Sequence, residues 1–328
     1  MEFYTIKSFN IQPLKFNYII FNNLMRAVLF PGQGSQFVGM GSDFYNKYDE
    51  VKKTFDTVDN TLGFSLSKII LNGPDEELRK TQNTQPAIMT IGVSIFNILN
   101  NKFNFNLNNS KYFAGHSLGE YTALVCSGSL TIERAAYLLH ERGKAMQNAV
   151  PEGEGSMMAI LGMTIKEVEQ EINDLNQICE IANDNSNGQV VVSGKKNAID
   201  SLNMKLKTKK KRGIILPVSA PFHCSLMGKA SEAMREKIIN TNLLKPNPSI
   251  ISNVTASEET DVNKIKPLLV DQITSRVRWR ESINNMIKSG VKSFLEIGPG
   301  KILSGLVKKI NKDVEIININ SIEDIKND

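Results

Sequence analysis

Cysteine and histidine are both scarce in this chain, with three of each among 328 residues. Three cysteines, none of them in a C-x-x-C pair, exclude a disulfide scaffold and give no indication of a zinc site. With so few histidines, a histidine-built metal site is also disfavoured, and we expect no metal. The cysteines are most simply interpreted as small core hydrophobes: Cys126, Cys179 and Cys224.

A long hydrophobic run is missing as well. The longest stretch without a charged residue is Thr81 to Asn101, and its apolar part, Ala87 to Leu99, is too short to span a bilayer. We predict instead a core helix that begins near Pro86, because proline is favoured in the first turn of a helix. No association with a membrane is therefore expected.

Charge of one sign is not in strong excess. The 39 basic and 34 acidic residues leave a net charge of +5, and 41% of the residues are hydrophobic. This composition excludes disorder of the whole chain, because enough apolar mass exists to form a core. The mild positive balance is compatible with anionic ligands or an acidic protein partner. By itself it does not indicate nucleic acid, and we expect none.

The first 24 residues differ from the rest and contain only Lys7 and Lys15 as basic residues. They show no apolar region followed by a small-residue cleavage site, so a secretory signal is not expected. We interpret residues 1–25 as an N-terminal extension, with Met25 as the natural start of a cytoplasmic protein. The alternative is the remnant of a segment that targets the protein to an organelle.

Strands, loops and helices alternate through most of the sequence. The pattern predicts strands at 26–30 and 112–114, and it predicts helices at 42–71, 86–99, 120–126 and 132–149. After residue 220 it predicts helices at 225–240, 263–275, 280–289 and 301–311, with strands at 249–253, 293–297 and 314–319. This alternation is typical of a parallel sheet with helices packed on it, which is an α/β fold similar to that of the α/β hydrolases.

A second unit interrupts this pattern. In the region 151–219 the pattern predicts strand 156–161, helix 164–174, strands 177–182 and 189–193, helix 196–207 and strand 213–218. This β-α-β-β-α-β order is that of the ferredoxin-like unit. We therefore predict a discontinuous α/β domain, residues 26–150 and 220–320, with an inserted ferredoxin-like subdomain at 151–219.

The segment Gly115-His116-Ser117-Leu118-Gly119 matches G-x-S-x-G and lies between a predicted strand and a predicted helix. In that context the glycines allow a sharp turn that exposes the serine hydroxyl above the sheet. The helix N-terminus behind it offers N–H groups to an oxyanion. We predict that Ser117 is a nucleophile, and the alternative is a glycine-rich turn with a capping serine.

A serine nucleophile needs a base, and His223 is the candidate by elimination. The turn should direct the side chains of His116 and Ser117 apart, and His140 lies within a predicted helix. No acidic residue stands out as the third member of a triad: Asp174, Asp184 and Asp200 have no special position. A backbone carbonyl can orient the histidine instead.

Further motifs accompany these residues: Pro-Gly-Gln-Gly-Ser-Gln (31–36), Asn-Thr-Gln-Pro-Ala (83–87), Glu-Arg-Gly-Lys-Ala-Met-Gln (141–147), Asn-Gly-Gln-Val-Val-Val-Ser-Gly (187–194), Pro-Phe-His-Cys (221–224), Val-Arg-Trp (277–279) and Glu-Ile-Gly-Pro-Gly (296–300). Together with 115–120 they resemble the malonyl-CoA:acyl-carrier-protein transacylase family over about residues 26–319. That family loads malonyl units for type II fatty acid synthesis. Its superfamily includes the acyltransferase domains of polyketide synthases, so the acyl group is a separate question.

The resemblance implies a role for several residues. Ser117 would be acylated, with His223 as its base and the backbone N–H groups of Gln33 and Leu118 as the oxyanion hole. Arg142 would pair with the free carboxylate of malonate, for which a planar guanidinium offers a bidentate grip. The backbone carbonyl that orients the histidine would be that of Arg278, before the tryptophan.

Three further positions have weaker implied roles. Phe222 would crowd the space that an α-methyl group needs and so favour malonyl over methylmalonyl; the alternative is simple packing. Asn183 and Asn185 match an asparagine pair of the family at the cleft, although a turn with asparagine and glycine has a structural explanation.

The reaction that the resemblance implies needs no cofactor, with malonyl-CoA as substrate and acyl carrier protein as partner of a monomeric enzyme. The basic run from 205 to 212 is either a solvated face or an attraction for coenzyme A phosphates or the acidic carrier. A second basic cluster is Arg276, Arg278 and Arg280. Two other functions are alternatives to acyl transfer. One is a hydrolase, which would have no need for an arginine such as Arg142, and the other is a non-enzymatic subunit that only docks carrier proteins.

Overall fold

The computed structural model describes residues 25–175, 177–218 and 220–326, so the N-terminal extension predicted at 1–24 lies outside the described residues. One sheet has six strands in the order β10-β9-β1-β2-β7-β8. Its strands are β1 (Arg26–Phe30), β2 (Tyr112–Gly115), β7 (Ser249–Ile251), β8 (Glu258–Glu259), β9 (Ser293–Ile297) and β10 (Glu315–Ile319). All neighbours are parallel except β7 and β8, which are antiparallel.

The described helices, numbered in chain order, are α1 (Ser42–Lys47), α2 (Asp49–Leu62), α3 (Leu66–Asn72), α4 (Asp75–Arg79), α5 (Thr81–Phe103), α6 (Gly119–Cys126), α7 (Ile132–Asn148), α8 (Ile165–Asn173), α9 (Lys196–Thr208), α10 (Gly228–Ile239), α11 (Val262–Asp271), α12 (Trp279–Lys288), α13 (Ile302–Ile310) and α14 (Ile322–Lys326). Short 3₁₀ helices lie at Leu107–Asn109 and Ser225–Met227. Within the described ranges, none of these helices is long and apolar enough to cross a membrane.

The central strand β1 shows why the large sheet is covered on both faces. All five of its residues are buried. Val28 and Phe30 join one hydrophobic cluster, while Ala27 and Leu29 join another on the opposite face. This alternation follows from the two-residue period of a strand, and burial on both sides is usual for parallel sheets.

The second sheet is antiparallel, with the strand order β4-β5-β3-β6. It contains β3 (Gly155–Leu161), β4 (Cys179–Ser186), β5 (Gln189–Lys195) and β6 (Arg212–Ile215). Helices α8 and α9 complete the β-α-β-β-α-β order, and their apolar residues share one core with the strands. The predicted fold class, a parallel-sheet α/β unit with a ferredoxin-like unit in it, is confirmed.

Two helix predictions were wrong in detail. The single helix predicted at 42–71 is three helices, because Tyr48 is extended and Gly63 has a left-handed φ of 75°. The helix predicted to begin near Pro86 begins at Thr81, so the proline is inside it. Proline cannot donate to the carbonyl of Gln82 one turn earlier, and that carbonyl instead bonds to His140 Nδ1 at 2.9 Å.

Backbone hydrogen bonds join β4 of the small sheet to the segment before α12, and Arg278 N in that segment donates to the carbonyl of Asn253 after β7 at 3.0 Å. Val277 N donates to the carbonyl of Ala182 in β4 at 2.8 Å, and Asp184 N donates to the carbonyl of Val277 at 3.0 Å. The fully buried carboxylate of Asp184 also pairs with Arg280 Nη2 at 2.7 Å. These contacts fix the small sheet over the carboxyl ends of β1 and β2, where a ligand cleft is expected in such sheets.

Candidate active site

The strand β2 and the helix α6 are joined by a tight turn with Ser117 at its apex, where φ is +54°. The turn requires its two glycines, because a Cβ on Gly115 would overlap the backbone of Gly119, and one on Gly119 would overlap the carbonyl of Phe30. Asn253, after β7, fixes the turn from below. Its Oδ1 accepts from Ser117 N at 2.7 Å, and its Nδ2 donates to the carbonyl of Gly115 at 2.7 Å.

The hydroxyl of Ser117 lies 2.8 Å from Nε2 of His223, which follows β6 in the chain. On the other side of the imidazole, Nδ1 lies 2.8 Å from the backbone carbonyl of Gln272. The prediction that Arg278 supplies this carbonyl was wrong. The carbonyl of Arg278 instead accepts from Ser282 in the first turn of α12, while the chain just after α11 lies against the histidine.

The electrostatic environment keeps His223 neutral. Burial, which is the larger cause, and the nearby positive charge of Arg142 together lower its pKa to about 3. A neutral imidazole whose Nδ1–H is held by a carbonyl has a free Nε2 that accepts the serine proton. The pair therefore has the geometry and the protonation state of a nucleophile and its base.

Arg142 projects from α7 to the same serine and is only 1% exposed. Its Nη1 donates to Gln85 Oε1 at 2.8 Å, and its Nη2 donates to Gln272 Oε1 at 2.9 Å and to Ser117 Oγ at 3.2 Å. Burial lowers its pKa, yet an arginine stays charged in a protein. All three acceptors are neutral, so the guanidinium presents a cationic, bidentate site for a carboxylate.

Two residues that the sequence analysis missed hold these groups together. Gln272 contributes its carbonyl to His223 and its side-chain oxygen to Arg142. Glu120, in the first turn of α6, is fully buried, and burial raises its pKa to about 7. The glutamate belongs to the recognised motif at 115–120, but nothing in the spacing indicated that Gln272 would meet it.

The remaining predicted residues line one cavity of about 410 Å³, which extends from the serine between the two sheets. Gln33 and Leu118 contribute to its floor beside Ser117, and among the described residues neither backbone N–H has a hydrogen-bond acceptor. Gly32 is required next to Gln33, because a Cβ there would come within 2.5 Å of the carbonyl of His116.

The other three residues lie on the walls of this cavity. Phe222 is 6% exposed and borders it directly. Asn185 Oδ1 bonds to Nε2 of His116 at 2.9 Å, and Asn183 Nδ2 lies 3.4 Å from the same nitrogen. The ring of His116 also packs 5.5 Å from that of Trp279. His116 therefore points away from Ser117 and toward the small sheet, as the sequence analysis expected of such a turn.

His140 and the cysteines take no part in this arrangement. The ring of His140 packs against Phe64 on the far side of α7. The three cysteines are buried and free. In the part of the chain that the structure describes, no group of three or more His, Cys, Asp or Glu residues is arranged to hold a metal ion.

A strained serine between a parallel strand and a helix, a neutral histidine and a buried arginine define the class of serine-dependent acyltransferases. Comparison with known proteins agrees, because the family model described as "Acyl transferase domain" matches residues 28–324. The malonyl CoA-acyl carrier protein transacylase of Bacillus subtilis (strain 168) is 42% identical over 304 residues, which are 92% of this chain and 95% of that protein.

Solved structures give the same result. An acyl-carrier-protein-S-malonyltransferase from Bartonella henselae has a TM-score of 0.89 and 41% identity, and the match covers 92% of this chain and 97% of that one. A malonyl-transacylase solved in complex with its type II PKS acyl-carrier protein has a TM-score of 0.87, 36% identity, and coverage of 92% and 97%. The chain belongs to the malonyl CoA-acyl carrier protein transacylase family, and the predicted resemblance is confirmed.

Proposed function

We propose that this protein transfers a malonyl group from malonyl-CoA to the phosphopantetheine thiol of acyl carrier protein and so supplies fatty acid synthesis. The proposal rests on one observation: the side chains of His223 and Arg142 both lie next to the same atom, Ser117 Oγ. Ser117 Oγ lies 2.8 Å from the base His223 and 3.2 Å from the cationic Arg142. A nucleophile, its base and a carboxylate partner thus meet within one cavity, which is what a malonyl ester on a serine requires.

In the first half-reaction, Ser117 Oγ attacks the thioester carbonyl while Nε2 of His223 accepts its proton. The resulting oxyanion is stabilised by the backbone N–H groups of Gln33 and Leu118, which are free to donate. When the tetrahedral intermediate collapses, the carbon–sulfur bond breaks. The imidazolium then returns its proton to the sulfur, so that coenzyme A leaves as a thiol.

In the second half-reaction, the carrier thiol takes the place of coenzyme A. His223 accepts the thiol proton, the sulfur attacks malonyl-Ser117, and collapse of the second intermediate returns the proton to Ser117 Oγ. The carbonyl of Gln272 holds the ring in the same tautomer in both directions. One histidine therefore serves both halves without a third, acidic member.

Selectivity in this proposal comes from Arg142, Phe222 and the asparagine pair. The malonyl carboxylate would bind the guanidinium in place of its contact with Ser117 Oγ, which releases the hydroxyl for attack. Phe222 restricts the cavity where an α-methyl group would lie. Asn183 and Asn185, held by His116, would offer amide groups to the thioester arm at the small-sheet side.

The carrier protein would dock at the basic run from 205 to 212 rather than at the second cluster. Arg276, Arg278 and Arg280 all form ion pairs with acidic residues of this chain. In the first run, Lys205 and Lys209 pair with Glu171, whereas Lys207, Lys210 and Arg212 are exposed. The run leads through β6 to Leu216, which lines the cavity, so an acidic partner bound there would be close to its rim.

Mass spectrometry of the intact protein tests the function. Mixing with malonyl-CoA should add one malonyl group at Ser117, and adding the thiol form of acyl carrier protein should remove it and yield malonyl carrier protein. Release mainly as free malonate would identify a hydrolase. Failure to label Ser117 at all would support a docking subunit without catalytic activity.

A further inference from the structure

A buried carboxylate lies directly behind the reactive groups without touching the cavity. Glu120 is 1% exposed, and its Oε2 accepts two hydrogen bonds. One comes from the backbone N–H of Asn253 at 3.1 Å, and the other comes from Nε2 of Gln272 at 2.7 Å. Both donors belong to loops that arrive from elsewhere in the chain, so the carboxylate joins segments that are far apart in sequence.

The side-chain amide of Gln272 has three partners, and they fix its orientation. Its Nε2 end faces two acceptors, Glu120 Oε2 and the carbonyl of Ser117, which lies 3.1 Å away. Its Oε1 end consequently faces Nη2 of Arg142 at 2.9 Å. A rotation of the amide by half a turn would bring NH₂ against the guanidinium and C=O against the carboxylate, and both contacts would be repulsive.

We propose that Glu120 is a positioning residue that fixes the Gln272 amide and thereby sets the preference of Arg142 for a malonyl carboxylate. This inference rests on the proposed function. Without an acceptor at position 120, the Nε2 end of the amide would be restrained only by the longer bond to the carbonyl of Ser117. Nη2 of Arg142 would then lose its fixed partner, Gln272 Oε1. The guanidinium would no longer be aligned to bind the substrate carboxylate through two hydrogen bonds.

A purely structural role for Glu120 makes a different prediction. An acid in the first turn of a helix stabilises that helix, and its loss would lower activity toward every thioester alike. A positioning role acts on one property, the discrimination between malonyl-CoA, which carries the second carboxylate, and acetyl-CoA, which does not. The ratio of kcat/KM for these two substrates therefore separates the two roles.

The informative pair of variants is Glu120→Met and Glu120→Gln. Methionine fills the volume without an acceptor, and the ratio should fall by about tenfold or more, because a hydrogen bond to a charged group is affected. Glutamine keeps one acceptor oxygen and should recover most of the wild-type ratio. A matched control is Glu296→Met: Glu296 is another buried glutamate, which accepts from Leu303 N and Ser304 N, and its loss should lower both activities equally.

A second measurement tests whether Glu120 acts through Gln272. The variant Gln272→Leu keeps the backbone carbonyl but removes the amide, so it should lower the ratio by itself, and Glu120→Met should then cause no further fall. An unchanged ratio in Gln272→Leu overturns the proposal even if Glu120→Met does not fold. So does an equal loss for both thioesters in Glu120→Met, or the same additional fall in the Gln272→Leu background.

The wild-type protein distinguishes this inference from the function on which it rests. If malonyl-CoA does not label Ser117 in the wild type, the proposed function fails, and the ratio of kcat/KM for malonyl-CoA over acetyl-CoA cannot be used to test the positioning role. If labelling and transfer proceed while the ratio is insensitive to positions 120 and 272, the function stands and only the positioning role is refuted.

Discussion

Replacing Arg142 with alanine should change which thioester this protein uses. Among the described residues the buried guanidinium has only neutral hydrogen-bond acceptors, so a bound malonyl carboxylate would give it an anionic partner in the cavity. A hydrogen bond to a charged group contributes about 1.5–3 kcal/mol, and a carboxylate left buried without a partner costs more. The loss for malonyl-CoA is therefore at least about tenfold, and two lost bonds would make it larger.

Acetyl-CoA provides the internal reference, because it has no second carboxylate and should lose little from the absent charge. Structural damage is shared by both substrates, since Gln85 and Gln272 lose their donor whichever thioester is bound. Arg142→Lys should restore the ratio only in part, because an ammonium is a point charge without the planar fork of a guanidinium.

The assay is the ratio of kcat/KM for malonyl-CoA over acetyl-CoA in the wild type and both variants. Arg134→Ala is the matched control. Arg134 projects from the same helix α7 but bonds to Thr241 Oγ1 at 2.9 Å and to the carbonyl of Lys237 at 2.7 Å, outside the cavity. A ratio that is unchanged in Arg142→Ala, or that falls as much in Arg134→Ala, would refute the role of Arg142.

Four further outcomes are expected. Ser117→Ala should abolish covalent malonylation while the fold is retained, and a malonyl ester on that variant, detected by mass spectrometry, would exclude Ser117 as the nucleophile. His223→Ala should slow transfer by about 10²–10⁴-fold or more. His140→Ala should leave transfer unchanged and lower the free energy of unfolding by about 1 kcal/mol, through the lost bond to Gln82; equal kinetic losses at both histidines would contradict this assignment. Because the pKa of His223 is lowered to about 3, the base stays neutral as the pH falls, so single-turnover acylation should show no loss with a midpoint near pH 6.5. Glu120, whose pKa is raised to about 7, also titrates near neutrality, so the profile is measured in Glu120→Gln as well. A loss near pH 6.5 that persists in that variant would show an ordinary histidine.

The turn at Ser117 could be predicted from sequence because its determinants are local. Two glycines, a serine and the change from strand to helix lie within a few residues, and a Cβ on Gly115 would overlap the backbone of Gly119 only four residues later. The alternation of strands and helices along the sequence likewise predicted both sheets. Gly63 is a signal in the sequence for the break in the helix predicted at 42–71, because glycine readily adopts the positive φ that ends a helix.

The surroundings of the serine could not be predicted in the same way. Which carbonyl meets His223 depends on the path of the loop after α11, and that path is set by contacts with distant segments, so Gln272 rather than Arg278 reaches it. The helix start near Pro86 failed for a similar reason. A residue of α7, His140, bonds to the carbonyl that the proline leaves free, and only the packing of the two helices reveals this contact.

The hydrogen bonds between β4 and Val277 have a consequence for how a ligand enters. To move the small sheet away from the large one, the protein would have to break two backbone hydrogen bonds and expose the buried carboxylate of Asp184, which pairs with the partly exposed Arg280. These contacts hold the width of the cleft that the two thioester substrates enter one after the other. With the small sheet held in place, protection of the acylated serine would come from the alignment of groups within the cleft and not from its closure.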